Sequence, residues 1–254
     1  MKFIHHTVAR ITRPLGLAMA LLVGSVAAGN AWADPPGRVG RVSDVTGQVW
    51  LYSPDAGEWI SAQRNRPLTT GDRLSTEASG RAEVRIGSTT VRLGSGSELE
   101  VKGIDDEHVS LQLHSGRMSA RLRDHDSVRE FEVTTPDGKF QTQRTGSYRF
   151  DRVDEQSEVT VLSGQALYEG PGSALTVYSG QRAQFWIDTN DRAQYSITEP
   201  VHDAFASWTR DRDRSVSALR KTSVLMSLVA VTQPVVRRVL AAALDAWKAG
   251  ETAE

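Results

Sequence analysis

The dipeptide Ser-Gly recurs in this chain, and four copies lie between runs in which apolar and polar residues alternate. The copies are Ser79-Gly80, Ser115-Gly116, Ser163-Gly164 and Ser179-Gly180. Alternation places every second side chain on one face of a strand. Glycine supplies the positive φ that a tight turn needs, and serine can bond the local backbone there. The recurrence therefore predicts many short strands joined by tight turns.

The spacing of these runs favours an all-β fold over residues 38–198. Turn signals follow one another every eight to twelve residues or so, as is typical of β-sandwiches and β-rolls. At the start of the domain, Val39 to Val45 and Gln48 to Tyr52 resemble the two arms of a hairpin that turns at Thr46-Gly47. The unit length is uneven, which argues against a strictly regular solenoid. We therefore predict a β-roll or sandwich of many short antiparallel and solenoid-like strands.

The N-terminal segment has the three parts of a secretory signal. Basic residues precede an apolar run from Leu15 to Ala28, and Ala31-Trp32-Ala33 offers small residues at the two positions that a signal peptidase reads. The run is shorter than the roughly 20 residues of a membrane-spanning helix. We predict a cleaved signal peptide over residues 1–33 and a periplasmic, secreted or envelope-associated protein. An uncleaved membrane anchor is the alternative.

Composition limits the classes of partner and chemistry. Cleavage would remove three of the 30 lysines and arginines and none of the 31 acidic residues, which leaves the mature chain acidic. Binding to nucleic acid requires a basic excess, so we expect no nucleic-acid partner. The chain has no cysteine, which excludes disulfides, a thiolate nucleophile and cysteine-ligated metals. No transmembrane span is expected after cleavage of the leader.

The last segment, residues 199–254, has helical rather than strand patterning. Val201, Ala204, Phe205 and Trp208 are spaced as one face of a short amphipathic helix. The Arg/Asp run at 210–214 alternates in sign and is expected to be solvated. A second apolar stripe lies between Val235 and Trp247, and we expect it to dock on the domain itself. The tail is therefore predicted to be a short helical and irregular appendix.

Several motifs occur in an order found in a known family. They include Thr70-Gly71-Asp72-Arg73-Leu74, Leu113 to Arg117, Phe131 to Gly138 and Val159 to Gly164. This series resembles the FecR-type domain of exported and periplasmic bacterial proteins. The turn at Arg144-Thr145-Gly146-Ser147-Tyr148 is similar to a subgroup that begins with a signal peptide. The resemblance spans residues 40 to 188 or so, and its motifs are structural turns.

The resemblance implies a second function beside simple binding. The regulators that give the family its name relay signals from an outer-membrane receptor to a sigma factor, through a membrane helix and a cytoplasmic segment. The predicted leader leaves no room for a cytoplasmic part, so direct control of a sigma factor is not expected. The resemblance therefore implies, as an alternative, a periplasmic signalling component linked to transport receptors of the iron-siderophore type.

Catalytic and metal chemistry find little support in the residue pattern. His108 follows three acidic residues, but no pair of ligands at metal-binding spacing accompanies it. Asp188 to Asp191 lacks the glycine and the bidentate glutamate of a calcium loop. The serines lie in Ser-Gly motifs without a nearby histidine and acid. We expect no cofactor, no metal and no enzyme activity; a carbohydrate-active enzyme on a β-scaffold is the remaining alternative.

One basic face is a candidate for ligand or partner binding. Three arginines alternate along one strand, and a fourth is expected near them. The residues of this face are Arg117, Arg121, Arg123 and Arg149. With Trp50, Trp59 or Tyr52 beside it, such a face could hold an anionic glycan or an acidic envelope protein; an ordinary charged surface is the alternative. The preferred function is therefore a non-catalytic envelope binding or scaffold module.

Overall fold

The computed structural model describes residues 39–125, 131–218 and 222, which form seventeen strands and one helix, α1 (204–218). The strands are β1 (Gly40–Thr46), β2 (Val49–Ser53), β3 (Glu58–Ser61), β4 (Pro67–Leu68), β5 (Arg73–Thr76), β6 (Arg81–Ile86), β7 (Thr89–Leu93), β8 (Glu98–Ile104), β9 (Val109–Leu122), β10 (Phe131–Thr135), β11 (Gly138–Thr142), β12 (Gly146–Val153), β13 (Gln156–Ser163), β14 (Gln165–Gly170), β15 (Ser173–Tyr178), β16 (Gln181–Ile187) and β17 (Ala193–Thr198). The predicted all-β fold is confirmed.

The strands form two layers that share the long strand β9. Sheet I has the order β1-β6-β7-β9-β12-β13-β16-β17, with the short β4 beside β1. Sheet II has the order β3-β2-β5-β8-β9-β10-β11-β14-β15. Among the described strand pairs, β9 and β10 run parallel and the others antiparallel. The two layers are thus a mixed sheet that does not close into a barrel.

The four Ser-Gly copies mark the points where the chain leaves one sheet for the other. Ser79-Gly80 joins β5 to β6, Ser163-Gly164 joins β13 to β14, and Ser179-Gly180 joins β15 to β16. The fourth copy lies inside β9, between its sheet II half and its sheet I half. Gly116, Gly164 and Gly180 have φ of 85°, 101° and 84°. The predicted positive φ is present at these three glycines but not at Gly80, and the four copies form corners between layers rather than hairpin turns.

The prediction of a hairpin at Thr46-Gly47 is wrong, because this turn is also a corner between the two sheets. β1 pairs with β4 and β6 in sheet I, whereas β2 pairs with β3 and β5 in sheet II. Gly47 has φ 67°, and a Cβ there would lie 2.6 Å from the Ser79 carbonyl oxygen, so this corner packs directly against the next one. A glycine corner and a glycine hairpin have the same local sequence pattern. The partner strands alone distinguish them.

The core lies between the two sheets and is rich in aromatic rings. Phe185 of sheet I stacks on Tyr168 of sheet II at a centroid distance of 3.8 Å and meets Phe140 edge-on at 5.4 Å. All three side chains are fully buried. Aromatic contacts of this kind add to the free energy gained from burying the rings themselves. The alternation along the strands therefore places the apolar face inward in both layers.

Helix α1 follows the last strand and packs on the outer face of sheet I. Asp203 precedes it, and its Oδ1 accepts a hydrogen bond of 2.8 Å from the Ala206 amide, which is an N-cap. The predicted helix is confirmed, but it continues through the Arg/Asp run. The predicted signal peptide and the stripe from Val235 to Trp247 lie outside the described residues. Among the described residues, no helix is long and apolar enough to cross a membrane.

Candidate functional site

A row of polar side chains crosses the outer face of sheet I, one from each of six neighbouring strands. In strand order they are Glu83, Arg92, Ser119, Arg149, Thr160 and Arg182. The side chains of Glu83, Arg92 and Arg149 are 2%, 1% and 8% exposed. Such charges are rarely buried unless they are paired. They are covered because α1 contacts this face of the sheet.

Arg149 connects the start of α1 to the sheet. Its Nε and Nη2 donate to the Asp151 carboxylate at 2.7 and 2.8 Å, and its Nη1 and Nη2 donate to the Asp203 carboxylate at 2.9 and 2.8 Å. The guanidinium carbon also lies 5.3 Å from the centre of the Phe205 ring. Burial alone would lower the pKa of Arg149, but the hydrogen bonds that it donates to Asp151 and Asp203 outweigh this effect and raise that pKa. Arg149 is therefore a permanent cation between two carboxylates.

A second ion cluster lies under the middle of α1. Arg92 Nε donates to Glu83 Oε2 at 2.8 Å, and Arg92 Nη2 lies 3.0 Å from Asp213 Oδ1. Arg212 Nη2 donates to Asp44 Oδ2 at 2.9 Å, with its Nε 3.5 Å from Glu83 Oε2. The prediction that the Arg/Asp run is solvated is therefore wrong for Arg212 and Asp213. The alternating signs match opposite charges on the sheet.

The Arg149–Asp203 ion pair predicts that the fold loses stability in acid. Burial alone would raise the pKa of Asp203, but hydrogen bonds from Arg149 and from the Ala206 amide outweigh it and lower that pKa. A carboxylate with a lowered folded-state pKa stabilises the fold above its unfolded value of about 3.9, and this contribution is lost as the pH falls through the folded value. We expect the free energy of unfolding to fall below pH 4 or so, and to fall less in Asp203→Asn.

Urea unfolding between pH 6 and pH 2.5 measures this effect. Asp211→Asn is the matched control, because Asp211 also lies on α1 but its side chain is 69% exposed. We expect the control to keep the acid dependence of the wild-type protein. Equal acid dependence in Asp203→Asn and in the wild-type protein would contradict the assigned role of Asp203.

The structure brings the four arginines of the predicted ligand face to the outer side of sheet I. Arg117 Nε lies 3.6 Å from Asp151 Oδ1, and Arg121 Nη1 donates to Ser147 Oγ at 2.5 Å. Arg123 follows the end of β9 and donates to Thr90 Oγ1 of β7 at 3.1 Å. Arg149 is held by α1 and cannot contact a ligand freely. Ligand binding by this face stays a prediction.

The tryptophans proposed as neighbours of this face lie elsewhere. Trp50 and Trp59 belong to β2 and β3 of sheet II, whereas the arginines belong to sheet I. Trp50 is 36% exposed, and its Nε1 donates to Glu77 Oε1 at 3.1 Å. Trp59 is 43% exposed and packs on Tyr52 at a centroid distance of 5.5 Å. The expected combination of these aromatics with the basic row is therefore not formed.

In the two acidic turns considered as metal sites, an aspartate side chain accepts hydrogen bonds from backbone amides of its own turn. Asp105 Oδ1 accepts hydrogen bonds from the amides of Glu107 and His108 at 2.8 and 2.6 Å. Asp188 Oδ1 does the same for Asn190 and Arg192, at 2.8 and 3.0 Å. In the described part of the chain, no three His, Asp or Glu side chains converge as a metal site would require. These carboxylates close turns.

Strand β17 is an open edge of sheet I. It pairs with β16, and no other strand of the described residues lies beside it. The Asp188 amide donates to the Arg192 carbonyl at 2.9 Å, so these two residues form a hydrogen-bonded pair. Hydrogen-bonded and non-hydrogen-bonded pairs alternate in an antiparallel ladder, and the backbone groups of Tyr195 and Ile197 are therefore directed away from β16. Tyr195 and Ile197 are 45% and 54% exposed. The edge thus presents both free backbone groups and apolar side chains.

Comparison with known proteins matches the motif series to a family. The family model described as "FecR protein" matches residues 72–167. Two crystal structures of a candidate anti-sigma factor from Parabacteroides distasonis are similar to this chain. At 2.50 Å resolution the identity is 17%, the TM-score 0.42, and the match covers 50% of this chain and 60% of the other. At 1.65 Å resolution the identity is 16%, the TM-score 0.44, and the match covers 54% of this chain and 64% of the other.

The match therefore spans less than two thirds of the length of either solved structure. A comparison with curated proteins gives no match. The family match begins at the end of the Thr70-Gly71-Asp72 motif and ends in β14, so it contains the corners at Gly80, Gly116 and Gly164. The resemblance read from the ordered turns is confirmed over this range. Residues 72–167 of this chain match the FecR family.

Proposed function

We propose that this protein is a non-catalytic signalling component of the bacterial envelope, which acts by binding a partner protein along β17. The FecR domain supports a regulatory rather than an enzymatic role. The predicted signal peptide supports a periplasmic location. The proposed partner is an outer-membrane transport receptor of the iron-siderophore type, which is the class implied by the family resemblance. A signalling role is preferred here to the role of a generic scaffold, because the family match favours regulation.

The observation that carries this proposal is that β17 has no second strand partner within the part of the chain that the structure describes. Exposed edge strands in soluble proteins are usually blunted by charged residues, proline or bulges. The strand Ala193–Thr198 reads AQYSIT, without a charge or a proline. The free backbone groups of Tyr195 and Ile197 could extend sheet I with a strand from the partner, while their side chains would provide apolar contacts. Main-chain hydrogen bonds supply affinity in this mode, and side-chain pockets supply specificity.

The charged face offers little to an enzyme. A glycosidase needs two carboxylic groups that face each other at about 5 to 10 Å and exchange protons with the substrate. Among the described residues, Glu83 is bound by Arg92 and Asp151 by Arg149. The guanidinium groups hold both carboxylates in fixed ion pairs. This use of the buried acids supports binding rather than catalysis.

A proline at position 197 tests the proposed mode. The Ile197 amide is directed away from β16, so Ile197→Pro keeps the ladder within sheet I and removes a donor from the outer edge. A photo-crosslinking amino acid in place of Tyr195 would capture the partner in cells. We expect a crosslink to one outer-membrane receptor, weakened about tenfold by Ile197→Pro, as the loss of one or two backbone hydrogen bonds would predict.

Ile197→Thr is the matched control, since it removes apolar surface but keeps the amide. We expect it to retain most of the crosslink. Deletion of the protein and Ile197→Pro should also produce the same change in transcription. Crosslinks to cell-wall fragments alone, together with an unchanged transcript profile, would refute signalling and favour a scaffold.

A further inference from the structure

A cavity of about 320 Å³ lies between α1 and the outer face of sheet I. Ser119, Arg92 and Arg121 of the sheet line it, together with Arg210, Asp213 and Arg214 of the helix. Its volume is at the lower end of the range found for small-molecule sites, about 300 to 1,000 Å³. The cavity and the β17 edge have no residue in common. Ligand binding in the cavity is therefore independent of partner binding along β17.

Ser119 provides an unpaired polar group in this cavity. The residue is 7% exposed, and its Oγ has no hydrogen-bond partner among the described residues. A buried hydroxyl without a partner costs free energy, and for this reason most such groups in native proteins are bonded. Ser119 lies in β9 directly opposite Arg92 on one side and Arg149 on the other. Its hydroxyl is therefore left without a hydrogen bond in the lining of the cavity.

The arginines of the cavity carry more positive charge than the surrounding protein neutralises. Arg121 donates to Ser147 Oγ, and Arg210 donates to the Ala206 carbonyl and to Ser207 Oγ. Neither of the two has a carboxylate partner within the described part of the chain. The one carboxylate in the cavity lining, that of Asp213, already lies 3.0 Å from Arg92. Two guanidinium groups are thus left for an anion.

We propose that this cavity binds a small sugar acid. A carboxylate matches the planar, forked donors of an arginine, which Arg121 and Arg210 provide. The hydroxyl groups of a sugar ring can exchange hydrogen bonds with serine hydroxyls, and Ser119, Ser147 and Ser163 all line the cavity. An ordinary charged surface would have neither the concave volume between a helix and a sheet nor the unpaired buried hydroxyl.

Binding of hexuronates by the full mature chain tests this proposal. Glucuronate and galacturonate are the probes, with glucose and inorganic phosphate as comparison ligands, in titration calorimetry at low salt. We expect one hexuronate to bind with 1:1 stoichiometry, and glucose and phosphate to bind at least tenfold more weakly. Arg121→Met should weaken hexuronate binding by a factor of about ten or more, because it removes a charge-assisted hydrogen bond. Ser119→Ala should weaken it by a smaller factor.

Arg41→Met is the matched control, because Arg41 lies on the same sheet and is exposed but does not line the cavity. It should bind the hexuronate as the wild-type protein does. Equal thermal midpoints of Arg121→Met and the wild-type protein would show that the fold is intact, and loss of binding would then support the proposal. Absence of hexuronate binding, or unchanged binding in Arg121→Met, would overturn it. Phosphate binding as tight as that of the hexuronate would also overturn it.

Discussion

We expect Arg149→Leu to lower the free energy of unfolding by about 3 to 5 kcal/mol. This is the range for breaking a buried ion pair by removing one partner. The substitution would remove the cation that both carboxylates bind and leave only the more distant Arg117, 3.6 Å from Asp151, and Asp151 is 3% exposed. It would also release the start of α1 from the sheet. Urea unfolding at pH 7, followed by circular dichroism, measures the change.

Two further variants identify its cause. Arg64→Leu is the control, because that arginine is 69% exposed and lies 3.7 Å from Asp44, so it should cost at most about 1 kcal/mol. Combining Arg149→Leu with Asp151→Leu should recover part of the loss, since replacing a buried pair by apolar residues is often neutral. If Arg149→Leu were as stable as Arg64→Leu, α1 would not depend on this ion pair.

We expect the second largest effect from Gly164→Ala, at a corner between the sheets. Gly164 has φ 101°, a conformation that costs an alanine roughly 1 to 2 kcal/mol. The new methyl group would also overlap the Tyr148 hydroxyl, which is held by Arg144 and by both backbone groups of Gln165. Overpacking adds about 1 to 3 kcal/mol. Thermal unfolding should therefore show a total loss of about 2 to 5 kcal/mol.

Gly180→Ala separates the two contributions. Gly180 belongs to another Ser-Gly corner and has φ 84°, but a Cβ there would meet nothing within 4 Å. Gly180→Ala should therefore lose only the stability that the positive φ costs an alanine. Its unfolding temperature should lie between those of the wild-type protein and Gly164→Ala. Equal losses in both variants would show that the contact with Tyr148 is not rigid. This comparison tests the packing of the corner rather than glycine in general.

Local patterns predicted some features of the fold and of the site, and missed others. The alternation through Phe131 and Val133 requires only neighbouring residues, and both side chains are buried as expected. The spacing of Ala204, Phe205 and Trp208 predicted a helix here, but Val201, which was included in it, precedes the start of α1. Arg117 and Arg121 lie on the same side of β9, as their local alternation predicts, whereas the position of Arg149 on β12 depends on strand pairing. The Arg149–Asp203 pair was missed, since its partners lie 54 residues apart.

The buried ion clusters had a weak signal that sequence reasoning did not use. Strand β7 reads TTVRL and strand β6 reads RAEVRI, so each carries a charged residue within an apolar segment. The Arg/Asp run on α1 supplies charges of both signs at helical spacing. Either pattern alone fits a solvated surface. Their combination becomes informative only when the helix is known to lie on this particular sheet.

The sequence by itself determined the alternation, the presence of a helix after the last strand and the resemblance to the FecR family over residues 72–167. These depend on residues that are near one another along the chain. Only the tertiary structure decided that the Ser-Gly units are corners between two sheets, that β1 and β2 belong to different layers, and that Glu83 and Arg92 are buried. The physical reason is that strand partners and burial depend on contacts between distant segments, whose free energies no local pattern contains.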